Sequence, residues 1–137
     1  MTTARDIMSR DVTCVGEKET LADAARKMSE LNVGSLPICG EDNRLHGMLT
    51  DRDIVIKALA QGRNAADVRA SELAQGKPIT VGADDDAAEI LRTMSQHKVR
   101  RLPVIDGHQL VGIVAVADVA RALPDRPVGD LIDAISE

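Results

Sequence analysis

Leu45-His-Gly-Met-Leu-Thr-Asp-Arg-Asp-Ile-Val-Ile-Lys57 is the stretch that decides the fold. An apolar strand pattern from Leu45 to Thr50 gives way at once to a helix pattern, Asp51 to Ala60, closed by Gly62. Thr50 stands at the N-cap, where a hydroxyl satisfies a backbone N–H that the first helical turn leaves unpaired. Asp51 and Asp53 favour the positive end of the helix dipole. The same helix start offers backbone donors to an anion, and Asp53 offers two oxygens to a ribose diol. A plain cap and an anion-binding turn both fit this spacing.

The stretch has a second copy downstream. Sliding the chain by 66 residues superposes Ala4, Val15, Gly16, Ala22, Arg26, Met28, Ser29, Val33, Leu36 and Pro37 on Ala70, Val81, Gly82, Ala88, Arg92, Met94, Ser95, Val99, Leu102 and Pro103. After a one-residue loss in a turn, Leu45, Gly47 and Asp53 meet Leu110, Gly112 and Asp118. A period this long, occurring twice, describes two half-modules rather than a solenoid. Each copy reads β-α-β-β-α, an α/β (α+β) fold, with copies at residues 1–62 and 63–137 and a linker at 62–67.

In the first copy, Asp11 to Val15 reads as a strand, and Thr20-x-x-Asp23 is a capping box that starts a helix. Leu21, Ala24, Ala25, Met28 and Leu31 stripe one face of that helix. Leu36 to Cys39 is a strand whose Pro37 suggests a sheet edge or an irregular start. In the second copy, Ile79 to Val81 is a strand, and Ala87, Ile90, Leu91 and Met94 stripe a helix. Leu102 to Ile105 and Gln109 to Ala115 form a hairpin about Asp106-Gly107. A helix from Val116 stops at Pro124, and a short one is expected over 127–136. One sheet face per copy is left needing a cover, so the copies are expected to pack as a pseudo-two-fold pair with clefts at the seam.

Composition excludes much else. The chain has 137 residues, 44% of them apolar, yet no Phe, Tyr or Trp. It has no aromatic platform for single-stranded bases and no aromatic membrane-interface belt. The formal net charge is −5, against nucleic acid as a partner. No apolar run approaches the ~20 residues of a membrane helix. The start carries no secretory pattern, so the cytosol is the expected compartment.

These residues resemble a pair of CBS domains, a Bateman module. The resemblance rests on Gly47-Met-Leu-Thr-Asp-Arg-Asp-Ile54, Gly112-Ile-Val-Ala-Val-Ala-Asp-Val119, Val33-Gly-Ser-Leu-Pro-Ile38 and Val99-Arg-Arg-Leu-Pro-Val-Ile-Asp106. It spans nearly the whole chain. It implies a regulatory module without catalysis that binds an adenosine nucleotide (AMP, ADP or ATP) between the repeats and requires no other cofactor. It also implies a homodimer through the helices at 51–60 and 116–123, and an unidentified protein partner. Carried onto this chain, Thr50, Arg52 and Asp53 form one half-site and Val12, Thr13 and Cys14 line its base pocket. Arg100 and Arg101, ahead of Pro103, face the phosphates. With Lys98 they make the one local basic cluster, which also reads as solvated surface. The second site, around Asp118, Thr80 and Pro37, has Ala115 in place of the threonine and reads as degraded.

Cys14 and Cys39 close the first two strands of copy one, and those strand ends lie at the same edge of a β-α-β unit. Copy two has Thr80 and Ile105 there. Two readings stand: reduced, buried thiols, or a disulfide or redox-responsive pair in a stress-associated protein, structural or redox-responsive, that takes no ligand. His46, His97 and His108 show no metal-ligand spacing. Asp84-Asp-Asp86 reads as a capped helix start. No nucleophile–base pair and no phosphate loop is present, so no enzyme is expected.

Overall fold

The structure, a computed structural model, describes residues 2–74 and 78–123. The helix expected at 127–136 lies outside them. The chain divides into two compact units, Thr13–Pro78 and Met1–Val12 with Ile79–Glu137.

In the first unit a three-stranded sheet has the order β1 (Val15–Gly16), β2 (Ser35–Cys39), β3 (Leu45–Thr50). β1 runs parallel to β2 and β3 antiparallel to it, with an irregularity between Ile38 and Cys39. β1 is far shorter than the strand expected over 11–15. Only Val15 and Gly16 pair with β2, and the preceding Cys14 carbonyl accepts from the Lys27 side chain instead, at 3.0 Å. That brevity corrects the expectation of a sheet edge at Pro37. β2 is the central strand, but β1 pairs with it only at Ile38 and Cys39. The missing proline N–H therefore leaves no ladder position unmet on that side.

Helix α2 (Leu21–Leu31) is capped as expected. The Thr20 hydroxyl accepts from Asp23 N–H and the Asp23 carboxylate from Thr20 N–H, both at 3.1 Å. Its buried stripe is narrower than the periodicity suggests: Leu21, Ala24 and Met28 are buried, whereas Leu31 is 46% exposed. Asn32, at φ 55°, ends the helix in the left-handed region, which asparagine tolerates better than most residues. The helix after β3 is not uniform. It starts as α3 (Asp51–Asp53), widens to π winding over Ile54–Ala58 and tightens to 3-10 over Leu59–Gln61. Gly62, at φ 75°, closes it.

Residues 62–67, expected as a linker, are mostly exposed, and the chain after them is not. Asn64 caps a turn at Ala65–Asp67, and Val68, Ala70 and Leu73 complete the first unit's core around Val15, Ile38, Leu49 and Ile54. Leu21 N–H donates to Val68 O at 2.8 Å and Ala70 N–H to Glu19 O at 2.7 Å.

The second unit repeats the plan with β4 (Val81–Gly82), β5 (Arg101–Asp106) and β6 (Gln109–Ala115) in that sheet order. Helix α4 (Ala87–His97) is capped by Asp86, and α5 (Val116–Ala122) follows β6. Residues 2–12, expected in the first copy, pack here. Their short helix α1 (Ala4–Ile7) buries Ala4 in the core of Val81, Ile90, Leu102, Val104 and Val119. Ser9 exchanges both backbone hydrogen bonds with Ile113, at 2.8 and 3.0 Å.

The two units thus exchange leading segments. Ala4 superposes on Ala70 in the repeat and both are fully buried, each in the other copy's core. Met8 and Ala74 likewise stand against Gly112 and Gly47, and the bridges Thr3 to Asp86 and Arg69 to Thr20 correspond. The sequence repeat and the packing unit are therefore different sets of residues.

Candidate functional site

Parallel pairing of β1 with β2 brings the start of one beside the end of the other. Gly16 is level with Cys39, so Cys14 stands close to it. The Cys14–Cys39 disulfide is formed, with a Cα–Cα separation of 5.7 Å, inside the 4.4–6.8 Å that such bonds span. Of the two readings of these cysteines, the structure takes the bonded one. Cys39 is 6% exposed and Cys14 is half-buried.

The bond has polar neighbours that the sequence reading did not pick out. Lys27, on α2, donates to Cys14 O and to Glu19 Oε1, at 3.0 and 2.7 Å. Glu19 Oε1 also accepts from Gly16 N–H at 2.8 Å. The Lys27 contact and the Gly16 amide hold the Glu19 carboxyl below the usual glutamate range. Glu17 N–H donates to Cys39 O at 3.2 Å, and its carboxylate lies 3.8 Å from His46 Nε2. A signal for Glu19 was present: Gly16-x-x-Glu19 recurs as Gly82-x-x-Asp85, where Asp85 accepts from Gly82 N–H at 2.8 Å. Lys27 gave none, because it lies off the apolar stripe.

At Thr50 the structure takes the capping arrangement. The hydroxyl accepts from Asp53 N–H at 3.0 Å, and Asp53 Oδ2 accepts from Thr50 N–H at 3.1 Å. Asp53 Oδ1 meets Lys57 Nζ at 3.3 Å, so both carboxylate oxygens have partners. Asp118 repeats half of this, accepting from Ala115 N–H at 2.7 Å and pairing with Arg121. Ala115 has no hydroxyl to return. Arg52 is exposed beside this cap. Pro37 and Pro103 sit in the central strands, opposite Met48 and Ile113. Thr13, Cys14, Thr50 and Asp53 belong to one unit; Val12, Thr80, Arg100, Arg101, Pro103 and Asp118 belong to the other. Arg100 and Arg101 are exposed. Arg100 O accepts from Val116 N–H at 2.9 Å, as Gly34 O does from Asp51 N–H.

The CBS domain profile matches residues 4–59 and 70–125. The chain belongs to the CBS-domain family. It is a tandem pair of CBS repeats, a Bateman module, and such modules are regulatory and not catalytic. Hypoxic response protein 1 of Mycobacterium tuberculosis is 56% identical over 135 residues, covering 98% of this chain and 94% of that protein. A crystal structure of Hypoxic Response Protein I with two coordinated zinc ions is 58% identical, with a TM-score of 0.84, covering 90% of this chain and 100% of that one. A structure of CBSX2 in complex with AMP is 25% identical, with a TM-score of 0.77, covering 89% and 96%.

The zinc-bound structure corrects the expectation that no cofactor is required: a relative holds metal. The described residues do not by themselves complete such a site. Among the described residues no three His, Cys, Asp or Glu side chains converge. The cysteines are tied to each other, and His46 with Glu17 supplies two of the four ligands that structural zinc takes. No helix of the described residues is long and apolar enough to cross a membrane.

Proposed function

We propose that this chain is a regulatory module whose state is set by oxidation and reduction of the Cys14–Cys39 pair, in the cytosol, with its output passed to a protein partner. The observation that carries this reading is the disulfide in the first repeat, at positions where the second repeat has Thr80 and Ile105. In a reducing compartment a disulfide is more often transient and redox-sensing than structural. The name of the 56% identical relative, a hypoxic response protein, supports a role tied to oxygen supply.

A homodimer fits the same reading. Val55, Ile56 and Leu59 are 51%, 47% and 53% exposed on the helical segment after β3, and Leu31 is 46% exposed. A groove of about 500 Å³ between α2 and that segment is lined by Met28, Val33, Ile54 and Val55. Exposed aliphatic surface of this kind is removed from water by a second copy.

Alkylation and mass measurement of the native protein, with and without reductant, tests the reading. The expected result is one intramolecular disulfide that opens reversibly, with faster hydrogen exchange over residues 13–16 and 35–39 in the reduced form. Two free thiols in air, or exchange unchanged by reduction, overturns it. Titration with AMP, ADP and ATP is the control: saturable binding lost in Asp53→Ala, and indifferent to redox state, would make the chain a nucleotide sensor instead.

A further inference from the structure

We infer that Cys14 is the sulfur a thiol reductant attacks, forming a mixed disulfide there, and that Cys39 is the thiol released. This rests on the redox reading of the pair. The two sulfurs differ in access. Cys39 ends the central strand and is 6% exposed, whereas Cys14 lies in the half-exposed chain ahead of β1. Access decides which sulfur of a disulfide is attacked.

They also differ in charge. The attacking species is a thiolate, an anion. The Lys27 ammonium is 3.0 Å from the Cys14 carbonyl, held there by Glu19. The Cys39 carbonyl accepts from a neutral donor, the Glu17 backbone N–H. The ammonium bonded at Cys14 favours approach of an anion there, an attraction reduced by its pairing with Glu19. Copy two lacks all three residues: Cys14, Lys27 and Cys39 correspond to Thr80, Thr93 and Ile105. Thr93 donates to Glu89 O in its own helix.

The chemistry is a pair of exchanges. The reductant's thiolate attacks Cys14 Sγ, the Sγ–Sγ bond breaks, and its electron pair leaves on Cys39 Sγ, which takes a proton from solvent. A second thiol of the reductant then attacks the mixed disulfide and releases Cys14 as its thiolate. The protein gains two electrons and the reductant ends as its own disulfide. Both small thiols and protein dithiols satisfy this requirement.

Glutathione is the probe. The oxidised chain is treated with it near neutral pH, quenched by alkylation and mapped by peptide mass. The expected product carries glutathione on Cys14 and the alkyl group on Cys39. In single-cysteine variants, Cys39→Ser should react with glutathione disulfide about tenfold faster than Cys14→Ser. Lys27→Gln should slow glutathione attack about threefold and weaken its salt dependence. An adduct on Cys39, or equal rates in the two variants, overturns the assignment while leaving the redox reading intact. Absence of the disulfide from the native protein removes both.

Discussion

Thr50 and Ala115 hold the same place in the two repeats and differ by a hydroxyl. Each precedes a helix whose third residue, Asp53 or Asp118, reaches back to its backbone N–H. Only Thr50 returns the bond. Thr50→Ala should cost about 1 kcal/mol, the usual value of an N-cap. Ala115→Thr should add a few tenths to 1 kcal/mol by completing the box. Chemical denaturation of both variants checks the pair, and equal and small effects would mean the hydroxyl is not capping. Glu19 carries a pH dependence. Its carboxyl lies below its ordinary range because Lys27 and the Gly16 amide favour the charged form. It therefore contributes stability above its unfolded value, and that stability is lost as acid protonates it in the folded state. Glu19→Gln should lower stability near neutrality and flatten the acid limb of a stability-against-pH curve below about pH 4.5, the two proteins converging in acid. The capping role of these residues was legible in the sequence because caps are local. The partners of Lys27 were not, because they depend on a parallel strand pairing that no spacing along the chain encodes.

The exchanged leading segments are a property of elements. At Gly112 a Cβ would meet the Met8 side chain and stand 2.9 Å from Ser9 O, a backbone atom. At Gly47 it would meet Ala74 Cβ at 3.0 Å. Backbone that is hydrogen-bonded to β6 cannot give as readily as a methyl group on the short chain after Leu73. Gly112→Ala should therefore destabilise by about 1–3 kcal/mol, the range for overpacking, and by more than Gly47→Ala. Thermal denaturation of both proteins decides it; a larger loss in Gly47→Ala would mean that residues 8–9 adapt. Strands and helices could be read from periodicity, and the capping of α2 from Thr20 and Asp23. Where residues 2–12 and 68–74 go could not. Ala4, Met8 and Ala70 read as members of their own copy because proximity in sequence was the only guide. The packing that overrode it is long-range burial, which leaves no mark on a local pattern.

For the molecule as a whole, the disulfide is unevenly placed. It closes a loop with a sequence separation of 25, worth about 3.5 kcal/mol on the chain-entropy estimate. All of it falls on Thr13–Pro78. Reduction should lower the stability of that unit by about 3 kcal/mol and leave the other nearly unchanged. Hydrogen exchange resolved by peptide, compared between oxidised and reduced protein, reads the two units separately. A uniform loss across both would mean they unfold as one cooperative block.

The exchange of leading segments also sets an order of events at the ribosome. Ser9 is made about a hundred residues before Ile113, its partner, which at roughly 5–20 residues per second is a wait of several seconds. The segment 13–74 can meanwhile close on itself, since every element of its core is already out. Residues 2–12 must stay unattached until β6 emerges, with Ala4 and Met8 exposed to whatever else is nascent. Residues 2–12 are therefore made well before the strand on which they settle.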